Sequence, residues 1–217
     1  PAQQAPQQAR PAATARTAAP IDLTGYWVSV ITEDWRWRMM TPAKGDYEGM
    51  PLNNEGRRVA NTWDLARDQS GDNQCKAFGA PAIMRIPTRI HITWENDSTL
   101  RIDSDAGRQT RLLHFDQTQA PAGEASWQGF SAASWEFADF QRTSALGGMT
   151  ERGDRARGGN LKAVTTRLRP GYLRWNGVPY SENTVLTEYL DRHTDYGSEW
   201  LFVTAVVDDP KYLSQRF

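Results

Sequence analysis

Cysteine is all but missing: Cys75 is the one thiol in 217 residues. An internal disulfide framework is therefore excluded. Cys75 reads either as a buried free thiol or as half of a pair whose partner lies outside this chain. Long hydrophobic runs are missing as well. No stretch approaches the ~20 apolar residues that a membrane-spanning helix needs. Neither sign of charge is in excess, since 25 Lys and Arg face 26 Asp and Glu for a net charge of −1. No overall field is present to gather nucleic acid or an anionic membrane.

Catalytic signatures are equally scarce. The segment Trp127-Gln128-Gly129-Phe130-Ser131 has the wrong order for a Gly-x-Ser-x-Gly elbow. No glycine-rich phosphate loop leads into a helix, and no dinucleotide-binding fingerprint is visible. Glu33-Asp34 and Asp208-Asp209 are adjacent acids, and adjacent strand residues face opposite ways, which makes poor acid–base pairs. Asp103 and Asp105 share a face but flank a turn. The balance leans away from an enzyme, and no cofactor is implied.

What is present begins with a seam near residue 20. Residues 1–20 are Ala, Gln, Pro and Arg in the main, interrupted by Pro1, Pro6, Pro11 and Pro20. Such a stretch buries too little to form a packed element. It reads as an extended arm, disordered or ordered by contact with another chain. A first residue other than Met, with a single cysteine, reads as an exported protein whose targeting segment is gone. The expected location is periplasmic or extracellular. Residues 21–217 then form one folded domain of about 195 residues, enough for a sizeable core.

Within that domain, period-two alternation dominates. Tyr26, Val28 and Val30 alternate with Trp27, Ser29 and Ile31 in a first strand over 23–32, which Trp35 and Trp37 can continue. Asn53 or Asn54 can cap a short helix running to Trp63. Residues 66–82 are polar and glycine-containing, hence loop. Ile90, Ile92 and Trp94 alternate with polar partners, and Glu95-Asn96-Asp97-Ser98 turns the chain toward Leu100 and Ile102, a hairpin by spacing. Further strands are expected over 108–115, within 127–140 and over 161–168, the last stopped by Arg169-Pro170-Gly171. Residues 143–160 read as a mobile loop. A second hairpin joins 183–192 to 199–207 through a turn at His193 to Ser198. About eight antiparallel strands with one helix close into a barrel or stack as a sandwich. Trp27 and the Ile90, Ile92, Trp94 row are expected in the core.

Two resemblances add to this. Gly25-Tyr26-Trp27 resembles the Gly-x-Trp element on the first strand of lipocalins, and Thr194-Asp195-Tyr196 resembles a second lipocalin element. They imply a calycin-like barrel, in which a small apolar ligand could sit. Pro51-Leu52-Asn53-Asn54-Glu55-Gly56, followed by Cys75, Gly79, Pro81, Met84 and Pro87, resembles a group of uncharacterised exported bacterial proteins. That likeness implies export and carries no activity.

The best functional candidates are rich in arginine and aromatics. Trp35, Arg36, Trp37 and Arg38 would put two indoles on one strand face and two guanidiniums on the other. Arg167, Arg169, Tyr172, Arg174 and Trp175 cluster around a Pro-Gly turn. Trp, Tyr and Arg are enriched at interfaces, so both segments are expected to bind a protein partner, such as the periplasmic face of a membrane complex. Trp35 to Arg38 read equally as an ordinary strand with a buried Trp pair and solvated arginines, and the second cluster as a cation–π stack. His91, His114 and His193 could in number hold a zinc ion, but no short spacing links them, and a metal is not expected. The sequence thus points to a binding or scaffold subunit, with a carrier of a small apolar molecule or a hydrolase or isomerase as alternatives.

Overall fold

The computed structural model describes residues 13–70, 73–137 and 159–217. Ten strands are described: β1 (Gly25–Val28), β2 (Arg89–Asn96), β3 (Thr99–Ser104), β4 (Gln109–His114), β5 (Phe130–Phe137), β6 (Gly159–Thr166), β7 (Gly171–Arg174), β8 (Val178–Tyr180), β9 (Val185–Asp195) and β10 (Ser198–Asp208). Four short helices accompany them: α1 (Trp35–Met39), α2 (Asn54–Ala60), α3 (Leu65–Asp68) and α4 (Ala80–Ile83). Eight strands form a nearly closed, barrel-shaped sheet in the order β1-β2-β3-β4-β5-β6-β9-β10. β7 and β8 form a separate ribbon in the connection from β6 to β9, which are themselves paired. All strand pairs in the large sheet are antiparallel except β4 and β5, which run parallel through Leu113↔Ser131 and His114↔Ala132.

Alternation dictates the interior. Ile90 and Ile92 of β2, Leu100 and Ile102 of β3, Leu113 of β4, Leu161 and Ala163 of β6 and Leu190 of β9 form one buried cluster. Trp27, Trp94, Trp135 and Phe115 pack against it but are only partly buried, so the expected full burial of Trp27 and Trp94 is corrected to half-burial. Trp27 lies on an edge strand, and its indole N–H donates to the Leu23 carbonyl at 2.9 Å. A second cluster lies under the β7–β8 ribbon and α2, built from Tyr47, Leu52, Ala60, Leu168, Leu173, Tyr180, Leu186 and Leu213, among others.

Several expectations change. The segment Trp35–Met39 is helical rather than a continuation of the first strand, which ends at Val28. Asp34 takes a left-handed φ of 50°, and its carbonyl accepts from the N–H groups of both Trp37 and Arg38. Residues two apart on a helix point away from each other, so the two indoles do not share a face. Residues 66–82 are not all loop: they hold part of α3, a 3-10 turn at Lys76–Phe78 and the start of α4. Asp64 caps α3 through Ala66 N–H at 2.9 Å, and Pro81 sits in the first turn of α4, where a missing N–H costs nothing. The α2 helix is capped by Asn53, as its sequence predicts, with Gly56 N–H donating to Asn53 Oδ1 at 2.8 Å. The second hairpin turns on Tyr196 and Gly197 alone, whose φ values of 49° and 75° suit a two-residue turn. His193, Thr194 and Asp195 are therefore strand residues. The loop expected over 143–160 lies, as far as residue 158, outside the described residues.

Residues 13–20 contain a turn over 15–18 and no helix or strand. They lie against the barrel. The Trp135 indole donates to the Ala15 carbonyl at 2.8 Å, and Arg16 N–H donates to the Asp97 carbonyl at 3.0 Å.

Candidate functional site: an arginine–tryptophan cleft

The two segments that the sequence singles out meet in space. The α1 helix lies beside β7, and Trp37 becomes the shared surface. Arg36 and Arg174 stack on its indole ring, at 5.3 and 5.0 Å from the centroid. The loop over 45–49 locks the arrangement. Asp46 accepts from Arg36 Nη2 at 2.9 Å and from the Trp37 indole N–H at 3.3 Å. The Glu48 carbonyl accepts from Arg174 Nη1 at 2.7 Å. Asn176 holds the loop from below, donating to the carbonyls of Ala43 and Asp46 at 3.0 and 2.8 Å.

Behind Trp37 lies a narrow cleft of about 30 Å³, lined by Trp37, Arg38, Arg85 and Arg174 with Leu173, Trp175 and the apolar Ala82 and Ile86. Three guanidiniums enter it. Arg38 donates from Nε to the Arg85 carbonyl at 2.8 Å and reaches Glu33 at 3.9 Å. Arg85 pairs with Asp34 on one side and covers the Phe217 ring at 5.3 Å on the other. Arg174 is 6% exposed and forms no ion pair with a carboxylate among the described residues. Burial, and then the neighbouring Arg85, pulls both Arg38 and Arg174 below the usual arginine range, with Asp34 opposing the shift at each. On the far side of the 45–49 loop lies a shallow basin of about 470 Å³, lined by Asp46, Tyr47, Glu48, Met50, Arg57 and Phe217, among others. The two hollows adjoin through Arg85, which covers Phe217, and Arg174, which donates to the Glu48 carbonyl.

The remaining predicted residues divide. Trp35 is on the surface, 67% exposed, at the rim of α1. Arg167, with a φ of 54°, turns away to the Gly123 carbonyl. Arg169 stacks on Trp127 at 4.4 Å. The Tyr172 hydroxyl donates to Asp68 at 3.1 Å, and burial followed by the Asp68 charge pushes its phenol above the usual range. Only Arg174 and Trp175 of the second segment belong to the cleft. Arg85 was missed by sequence reasoning, although a lone charge within Ala80-Pro81-Ala82-Ile83-Met84-Arg85-Ile86 is a signal of a buried or docked guanidinium.

The three histidines stay apart. His91 stacks on Tyr26 at 4.0 Å, His114 stacks on Phe130 at 5.2 Å, and His193 meets Phe202 edge-on at 5.5 Å. Among the described residues no group of three His, Cys, Asp or Glu is placed to hold a metal ion. Cys75 is a half-buried free thiol, 3.8 Å from Gln109 Nε2. Among the described residues no helix is long and apolar enough to cross a membrane. No family model, curated protein or solved structure matches this chain.

Proposed function

We propose that this protein is a non-catalytic binding subunit that docks a partner protein on the face formed by α1, the 45–49 loop and β7. The observation that carries the reading is the Trp37 indole contacted by both Arg36 and Arg174, next to the exposed Trp35. Rigid indoles and guanidiniums give the largest losses when truncated at interfaces. Here they are held in place before any partner arrives, which lowers the ordering cost of association. A carrier needs an apolar cavity in the barrel, and the Arg111–Glu188 ion pair crosses that interior instead.

A benzophenone-bearing photo-crosslinking residue at position 35, which keeps an aromatic side chain there, with a control at position 97 on the β2–β3 turn, tests the reading in native extracts. The expected result is a discrete adduct from position 35 and none from position 97. The adduct should vanish when Arg36 is changed to Ala. Equal labelling from both positions, or none from position 35, overturns the proposal.

A further inference from the structure

We propose that the cleft between α1, α4 and β7 is a carboxylate-binding subsite, and that its occupant is an acidic residue of the docked protein segment; this rests on the docking face described above. Three features point to an anion. First, Arg38, Arg85 and Arg174 all line the cleft, and no carboxylate does. Their acidic partners Glu33 and Asp34 lie outside its lining. Second, donors are left over. A guanidinium has five N–H groups, yet the one hydrogen bond of Arg174 among the described residues goes to the Glu48 carbonyl. Third, Trp175 lines the cleft, and its indole Nε1 is buried without a hydrogen-bond partner among the described residues. A buried donor left unpaired is costly, which makes this indole responsive to an oxygen brought into the cleft.

Size selects among anions. A hollow of about 30 Å³ matches the share of liquid volume of roughly one water. Only the oxygen tip of an anion can enter such a space, with the rest of the group at its mouth. A planar guanidinium fork matches a carboxylate with two parallel hydrogen bonds, and apolar Ala82, Ile86 and Leu173 complete the wall. A phosphate group, with more oxygens around a tetrahedral centre, fits this space less well. The neighbouring basin of about 470 Å³ gives the rest of such a segment a place to lie.

The test uses the full chain and two probes that differ in one charge: N-acetylphenylalanine and its amide. The readout is the nitrogen–proton NMR signal of the Trp175 indole. The expected result is a saturable shift with the acid, and binding of the amide weaker by about tenfold or more, as for loss of a charged hydrogen bond. Arg174→Lys should weaken the acid by about tenfold or more in the same signal, and Trp175→Phe should do so by calorimetry, with far-ultraviolet circular dichroism unchanged in both. Arg89→Gln, remote from the cleft, should leave it unaffected.

An unmoved Trp175 signal with the acid overturns the subsite, while a persisting position-35 crosslink leaves the docking face standing. Equal binding of acid and amide also overturns it. Inorganic phosphate saturating the same signal at lower concentration overturns the choice of a carboxylate.

Discussion

Arg111 of β4 and Glu188 of β9 face each other inside the barrel and close a two-pronged ion pair at 3.0 and 2.5 Å. Their side chains are 3% and 2% exposed. On β9, Glu188 falls between Leu186 of one buried cluster and Leu190 of the other. The pair, with Thr165 and Ser131, is thus a polar layer between two apolar ones. Arg111 Nη2 also reaches Thr165 Oγ1 at 3.4 Å, and Ser131 and Thr165 share a hydrogen bond of 2.7 Å. Arg111 Nε has no hydrogen-bond partner among the described residues. The layer therefore costs desolvation that its hydrogen bonds recover only in part.

The first prediction follows from that imbalance. Glu188→Leu alone should lose about 3–5 kcal/mol, because it leaves a buried guanidinium without a counter-charge. Arg111→Met with Glu188→Leu should restore most of the loss or exceed the parent by about 1–4 kcal/mol. Urea unfolding of the four proteins of this cycle measures both. A double variant as unstable as the single one would mean that the pair is a net source of stability.

A second prediction concerns Gly56 in α2. Alanine in place of a helical glycine ordinarily gains up to about 1 kcal/mol. Here an added Cβ would stand 2.3 Å from the Tyr212 carbonyl oxygen and 2.9 Å from Leu52 Cδ2. Backbone cannot give way as a side chain can. Asn53 N–H donates to that same Tyr212 carbonyl, and Asn53 Nδ2 to the Lys211 carbonyl, so the helix start is riveted to the chain end. Gly56→Ala should therefore destabilise by about 1–3 kcal/mol. A gain in the urea midpoint would show that α2 can lift from its contact.

The third prediction concerns acid. Asp103 on the outer face of β3 accepts from Arg101 Nε at 2.8 Å and Thr110 Oγ1 at 2.6 Å. The Arg101 bond foremost holds its carboxyl below the usual range. A depressed folded value means that its contribution is complete above the unfolded value of about 3.9 and is lost as pH falls through the folded one. The side chain is 36% exposed, so the contribution stays within about 1 kcal/mol. Asp103→Asn should lower the urea midpoint at neutral pH, and the deficit should shrink below pH about 4. A deficit independent of pH would assign it to lost shape rather than lost charge.

Strand residues and the Asn53-capped α2 were the legible part of this chain, and the shorter helices the illegible part, for a physical reason. Ile90, Ile92, Leu100 and Ile102 alternate over a sheet with one buried face, so period two appears directly in the letters. In α1 and α4, helices of one turn or so, no period can build up, and their geometry is imposed from outside. Asp34 sets the start of α1 by a left-handed turn, and Tyr180 crowds Gly79 before α4. The site was legible as residue types and not as an arrangement. Trp37 and Arg174 were both visible, but their meeting depends on the β7–β8 ribbon folding back in the connection from β6 to β9, which has no local signal. Arg85 enters the cleft from the stretch between the 66–82 segment and the Ile90 strand, where no periodicity marks it.

The last prediction separates the roles of the two α1 indoles. Trp35 is exposed and touches little, so Trp35→Ala should change stability by no more than about 0.5 kcal/mol, as surface substitutions do. On the proposed docking face its loss should nonetheless weaken partner binding by about 2 kcal/mol. Trp37 differs because it is half-buried, stacked by two guanidiniums and tied to Asp46. Trp37→Ala should lower both stability and binding. Part of that loss belongs to the stack itself, which a cycle with Arg174→Lys isolates at about 0.5–2 kcal/mol of coupling. Salt distinguishes the components: ion pairs on the rim weaken as ionic strength rises, while indole burial does not. Binding should therefore fall only in part between low and high salt, and the residue of affinity at high salt should disappear in Trp35→Ala. Binding that salt abolishes completely, with Trp35→Ala indistinguishable from the parent, would reduce the face to a charged surface without an aromatic anchor.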